Sequence, residues 1–220
     1  MLKIHPTAII HSSAEIDSTV EVGAYSVIGE NVSIDKNTII GPHVVISRDC
    51  EIGQNNKIYQ FASISEIPQD KKYNGEDCKL VIGSGNTIRE YCTINRGTKA
   101  GGESITQLGD NNWIMAYVHI AHDCVIGDNN VMSNATSLAG HVLMGSNIVL
   151  AGYVLVHQFC RIGDYSFAGM GAALNQDLPP YLLATGSFAK THGLNRDCLL
   201  YTSDAADDSL RVDLGGRRII

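Results

Sequence analysis

Residues 119–145 read "HIAHDCVIGDNNVMSNATSLAGHVLMG". The aliphatic side chains keep a six-residue beat: Ile120, Ile126, Met132, Leu138 and Met144. Glycine follows the beat at 127 and 145. A period of six is neither the 3.6 of a helix nor the simple alternation of an ordinary strand. It is the mark of a repeat architecture, in which a short strand meets a corner and starts again. Three such hexads close one triangular turn, so residue i lies under residue i+18.

The beat extends in both directions. Upstream it runs through Ile10, Ile16, Val22, Ile28, Ile34, Ile40, Ile46, Ile52, Ile58 and Ile64, and resumes at Ile82, Ile88 and Ile94. It restarts two residues out of phase at Leu108 and continues through Ile114 and the opening stretch to Leu150, Val156, Ile162, Ala168 and Leu174. Glycine takes the next position at 23, 29, 41, 53, 83, 109, 163 and 169 as well, which we read as a residue suited to positive φ or a tight corner. The pattern is similar to the hexapeptide-repeat, left-handed parallel β-helix. The spacing carries the fold, and the hand comes from the resemblance. Such a prism is stabilised collectively, because no hexad has a core of its own.

Two stretches break the beat. "EIPQDKKYNGEDCK" (66–79) and "TKAGGESITQ" (98–107) are expected as loops thrown out of the prism, and long loops in a compact domain are more often functional than not. The span 71–99 holds Lys71, Lys72, Lys79, Arg89, Arg96 and Lys99 against Glu76, Asp77 and Glu90, a candidate surface for an anionic ligand or an acidic partner. Pro179-Pro180 ends the pattern, so the division expected is a β-helix domain over 1–178 and a separate C-terminal segment over 179–220.

Composition narrows the function. The 220 residues carry 16 Lys+Arg against 23 Asp+Glu, a net −7, which argues against nucleic-acid binding. No secretory signal or membrane-spanning run is evident, so a cytoplasmic protein is expected. Six cysteines form no CxxC pair, and the expectation is reduced thiols packed as small hydrophobes.

The i+18 rule places His122 under Gly140 and Gly140 under Gln158, with His141 and His157 one residue from that line. His119 precedes His122 in the same strand. Four histidines are thus expected at one corner, on the outside of the prism. Hexapeptide-repeat carbonic anhydrases, similar in fold, hold zinc with three histidines, two of them five residues apart. No two histidines here have that spacing, and no cofactor or metal is expected. General-base chemistry suits the corner better. A neutral imidazole on His122 can take a proton from a hydroxyl, and Asp123 can fix its tautomer. The Gly140 N–H can donate to an oxyanion. No serine or cysteine is placed as an evident nucleophile, which favours direct transfer.

"IYQFASI" (58–64), "IREYCTINRGT" (88–98), "HIAHDC" (119–124), "LAGHV" (138–142) and "VHQFC" (156–160) together resemble the UDP-N-acetylglucosamine O-acyltransferase family of lipid A biosynthesis, from residue 1 to about 197. The resemblance implies transfer of an (R)-3-hydroxyacyl group from acyl carrier protein to the 3-hydroxyl of UDP-N-acetylglucosamine, and a homotrimer with sites between prisms. It assigns His122 as base, Asp123 as its partner and Gly140 as oxyanion donor. It assigns substrate contacts to Asp70, Lys72, His119, His141, His157, Gln158, Asn195 and Asp197. It places Met170, between two glycines, where long-chain members have glycine, implying a stop for the acyl chain. Acyl carrier proteins are acidic, which gives the basic span a candidate partner.

From Cys198 the chain departs from the family pattern. Leu200 and Tyr201 stand where a phosphate-holding arginine is expected, and residues 179–220 correspond to the remnant of a helical cap. Alternatives are the related UDP-acylglucosamine N-acyltransferase, which carries an extra N-terminal domain and usually Asn after the second histidine, and a metal-binding or non-catalytic hexapeptide-repeat protein.

Overall fold

The computed structural model describes residues 4–99 and 104–196. Its strands are mostly two residues long and stack in parallel on three faces of a left-handed β-helix. On one face Ile120 pairs with Leu138, and Leu138 with Val156, each 18 residues on. The periodic aliphatics from Val22 to Leu174 are buried and form one continuous core, whereas Ile10 and Ile16 at the lower end are only partly covered. Burying each large aliphatic contributes about 1.5–3 kcal/mol before entropy is charged. The beat begins one hexad earlier than Ile10, because Ile4 bridges to Val22.

The corner chemistry differs from the expectation. Positive φ falls three residues after the inward aliphatic, on side chains such as Asp123 (φ 58), His141 (φ 64) and Phe159 (φ 66). The glycine directly after the aliphatic serves close approach instead. A Cβ on Gly127 would lie 2.5 Å from Ser146 Oγ and 2.8 Å from the Gly145 carbonyl oxygen.

Both insertions leave the prism at the same edge. Ile64 pairs with Ile94, 30 residues on, and Ile94 with Ile120, 26 on, so the loops add chain without disturbing the stack. Their bounds are tighter than expected. Glu66 belongs to Ser63–Glu66 and Lys79 to Lys79–Ile82, while Ile105–Leu108 is a strand. The next rung of this edge is residues 121–124, which carry His122 and Asp123. Residues 31 and 49, 141 and 159 continue the edge below and above. We call it the site edge.

The basic span is not one patch. Arg89 donates to both oxygens of Glu90, at 2.9 Å each, and its guanidinium lies over the Tyr59 ring. Lys79 pairs with Glu51 at 2.8 Å, and buried Arg96 donates to the Ser65 carbonyl. Lys71 and Lys72 stay exposed on the first loop. Charges close in sequence alternate here between neighbouring rungs and partners.

The prism continues past residue 178. Leu182–Thr185 stacks in parallel on Phe167–Ala168, and Lys190–Leu194 then folds back antiparallel. Within residues 182–194, the segment expected as a helical remnant is therefore a β-hairpin, because Leu182 and Ala184 still face the core. No helix among the described residues is long and apolar enough to cross a membrane.

Candidate active site

Ile120 turns inward and the chain must then round a corner, so His122 and Asp123 are carried outward on a fixed backbone. Asp123 sits in the left-handed region, which short polar side chains tolerate best. His122 Nδ1 meets Asp123 Oδ2 at 2.8 Å. The pair is sheltered rather than fully outward, with 13% and 6% of the side chains exposed. An aspartate on Nδ1 places the ring proton there and leaves Nε2 as the basic nitrogen.

Nε2 faces Gly140 on the rung above. A Cβ on Gly140 would lie 2.8 Å from His122 Nε2 and 2.6 Å from its Cε1. Glycine is required there because the imidazole occupies that space. The Gly140 N–H has no acceptor among the described residues.

His141 packs on the dyad from above. Its ring stands edge-on to His122 at 5.0 Å and stacks flat on Phe159 at 4.5 Å. Its Nδ1 is 3.8 Å from Asp123 Oδ2. Burial holds the His141 imidazole below its ordinary value, with the charge on His122 adding to this and the carboxylates of Asp123 and Asp70 opposing it. His119, whose Nδ1 bonds Thr93 Oγ1 at 2.7 Å, is lowered chiefly by burial and then by His122. Both rings favour the neutral form that accepts protons or donates a single N–H.

The structure thus joins His122, Asp123, Gly140 and His141, and His122 in turn acts on His119. The others make no hydrogen bond to this group among the described residues. His157 is exposed and its Nδ1 meets the Gln158 carbonyl at 3.1 Å, and Gln158 is exposed beside it. Lys72 is exposed on the first loop, where its N–H donates to Asp70 Oδ1. Asn195 lies on a different edge, donating to the Tyr165 carbonyl at 2.7 Å. Met170 is 80% exposed. Asp197, Leu200 and Tyr201 lie outside the described residues.

Two threonines were not foreseen. Buried Thr98 donates its N–H to Asp123 Oδ1 at 2.8 Å and its hydroxyl to Oδ2 at 2.6 Å. Thr106 Oγ1 accepts the Asp123 N–H at 2.8 Å. Both sit in the span read as the second loop, where the six-residue ruler gives no height.

One side-chain cluster has the makings of a metal centre. Ligand atoms of His122, Asp123 and His141 lie within 4.8 Å of one another. Asp123 already accepts three hydrogen bonds, from Thr98 twice and from His122, so a cation would have to displace them. The donor set fits a hydrogen-bonded dyad better than a metal.

A parallel prism of hexads with a part-buried His–Asp pair on one edge defines a hexapeptide-repeat transferase. The bacterial transferase hexapeptide model (six repeats) matches residues 13–48 and 105–140. Relatives and structures sharpen this. The acyl-[acyl-carrier-protein]–UDP-N-acetylglucosamine O-acyltransferase of Neisseria gonorrhoeae is 58% identical over 198 residues, covering 90% of this chain and 76% of its own length. That of Herminiimonas arsenicoxydans is 51% identical, covering 98% of this chain and 82% of its own. The UDP-N-acetylglucosamine O-acyltransferase structure from Moraxella catarrhalis superposes with a TM-score of 0.91 at 46% identity, over 94% of this chain and 80% of that one. The chain belongs to the acyl-[acyl-carrier-protein]–UDP-N-acetylglucosamine O-acyltransferase family.

Proposed function

We propose that the chain transfers a 3-hydroxyacyl group from acyl carrier protein to the 3-hydroxyl of UDP-N-acetylglucosamine, with His122 as general base. The observation that supports this most is the divided imidazole: Nδ1 is held by Asp123 and Nε2 opens beside Gly140. Nε2 takes the proton of the sugar hydroxyl as its oxygen attacks the thioester carbonyl. The Gly140 N–H donates to the oxyanion that forms. The C–S bond then breaks, the imidazolium returns its proton to the thiolate, and the ester and free thiol leave. Asp123 stabilises the imidazolium between these events.

The neutral rings of His119 and His141 suit single hydrogen bonds to an uncharged sugar or acyl hydroxyl, and Asp70 and Lys72 on the first loop suit the sugar nucleotide. His157, Gln158, Asn195 and Asp197 complete the contact set if three copies assemble, since one chain keeps Asn195 on a separate edge from His122. A trimer also supplies the wall that exposed Met170 needs to limit the acyl chain. A cytoplasmic reaction fits a sugar nucleotide and an acyl carrier protein as its two substrates.

The test is an acyl-transfer assay with UDP-N-acetylglucosamine and a panel of 3-hydroxyacyl carrier proteins. Product should form without added metal. His122→Ala should lose about 100- to 10,000-fold in kcat while remaining folded. A folded His122→Ala protein with near-normal kcat overturns the reading. Met170→Gly should shift preference from ten-carbon toward fourteen-carbon donors, because each buried methylene is worth about 0.8 kcal/mol. An unchanged ratio removes Met170 from the role.

A further inference from the structure

We infer that Thr98, on the second insertion, is a positioning residue that decides which histidine Asp123 serves; the inference rests on His122 being the base. Asp123 Oδ2 is contested. His122 Nδ1 lies 2.8 Å from it and His141 Nδ1 lies 3.8 Å from it. A carboxylate free to turn about its last bond can pair with either ring. Thr98 removes that freedom by donating its N–H to Oδ1 and its hydroxyl to Oδ2. Two donors from one buried residue fix the carboxylate plane, and the remaining lone pair on Oδ2 is presented to His122.

The backbone of Asp123 is held by Thr106, on the strand that follows the insertion. On the rungs above, the equivalent N–H groups donate to a main-chain carbonyl below: His141 to the His122 oxygen at 3.0 Å, and Phe159 to the Gly140 oxygen at 3.1 Å. Beneath Asp123 the insertion replaces the regular corner, and Thr106 Oγ1 takes over as acceptor. Thr98 and Thr106, one at each end of the insertion, therefore clamp Asp123, adding two hydrogen bonds to its carboxylate and putting a side-chain acceptor where the rungs above use a main-chain one.

The test compares Thr98→Val, Thr98→Ser and Asp123→Asn, singly and with Thr98→Val combined with Asp123→Asn, in the acyl-transfer assay and in thermal melts. Thr98→Val should lower kcat about tenfold to a hundredfold, as for loss of one hydrogen bond to a charged group, with KM and melting temperature little changed. Thr98→Ser keeps the hydroxyl and should restore kcat. The double variant should fall no further than Asp123→Asn alone, because Thr98 acts only through that carboxylate. Nitrogen chemical shifts of the His122 ring give a readout apart from turnover: a fixed Nδ1–H tautomer in the parent and in Thr98→Ser, a mixture in Thr98→Val. If the valine variant melts early, Thr98→Ala replaces it in the same comparison. Unchanged kcat and tautomer in the folded variant, or losses that add fully to those of Asp123→Asn, overturn the inference. If His122→Ala itself retains transfer, it is the base assignment that fails instead.

Discussion

Two edges of the same prism carry polar ladders, and they end differently. On one, Asn56, Asn86, Asn112 and Asn130 stack over four rungs. Each carbonyl takes an amide from the rung above, as when Asn112 N–H donates to Asn86 Oδ1 at 2.8 Å and Asn130 N–H to Asn112 Oδ1 at 2.9 Å. Each NH2 donates to a glycine carbonyl, Gly127 for Asn112 and Gly145 for Asn130. Each carbonyl and each NH2 of the ladder is engaged within the prism. On the site edge the rungs hold His122, Asp123 and His141, and the chain of bonds stops at His122 Nε2 and the Gly140 N–H. Both edges use buried polar groups to fix geometry. Only the one that leaves a basic nitrogen and a donor unspent can do chemistry on a third molecule.

The same substitution should separate the two edges. Gly140→Ala brings a Cβ against the His122 ring, which supplies its three nearest atoms. It should cost about 100-fold in kcat, the scale of moving a reacting group by roughly an ångström, with little loss of melting temperature. Parent-like kcat would show that the ring does not need its place beside Gly140. Gly127→Ala, on the asparagine edge, pushes a Cβ into the Gly145 carbonyl and the Ser146 hydroxyl. It should lose about 1–3 kcal/mol in urea denaturation, as overpacking does, while kcat measured well below the melting point stays close to the parent's.

The smallest effect expected is on pH dependence. Asparagines do not titrate, whereas His119 and His141 are held below the ordinary imidazole value of 6.5 by burial. The unfolded chain therefore binds protons on these rings at higher pH than the folded one. Stability from the site edge is full above that ordinary value and is lost as pH falls through the lowered folded values, on the order of 1 kcal/mol or less. Denaturation midpoints at pH 7.5 and pH 5.5 should differ more for the parent than for His119→Gln. Equal differences would mean that His119 does not contribute.

The core was legible because one observable, a six-residue beat, sets both the side-chain direction and the height of every rung. His122 beneath Gly140 followed from it directly, since no insertion lies between them. Across the insertions the rule fails, with partners 30 and 26 residues apart instead of 18, and Thr98 and Thr106 fall where no ruler applies. The asparagine ladder was readable and overlooked: Asn56, Asn86, Asn112 and Asn130 each stand two residues before an inward aliphatic. Glycine is expected at these positions for positive φ or a tight corner, and it is the missing Cβ that the structure uses. Charges that are neighbours in sequence need not be neighbours in space, and buried Arg96 adds nothing to a surface over the basic span.

The upper end of the prism has a consequence for how these molecules behave in a crowd. Each of the three faces is finished by a piece of residues 178–187: Ile162 bridges to Leu178, Phe167 pairs with Leu183, and Ala173 bridges to Ser187. The chain then reverses, so that Lys190–Leu194 lies antiparallel on the last strand. Pro179 and Pro180 offer no N–H to an incoming chain. A stack of open parallel rungs is a template on which another solenoid can continue, end upon end, into a fibre. A strand running the wrong way, the last among the described residues, breaks the direction that such growth would have to copy.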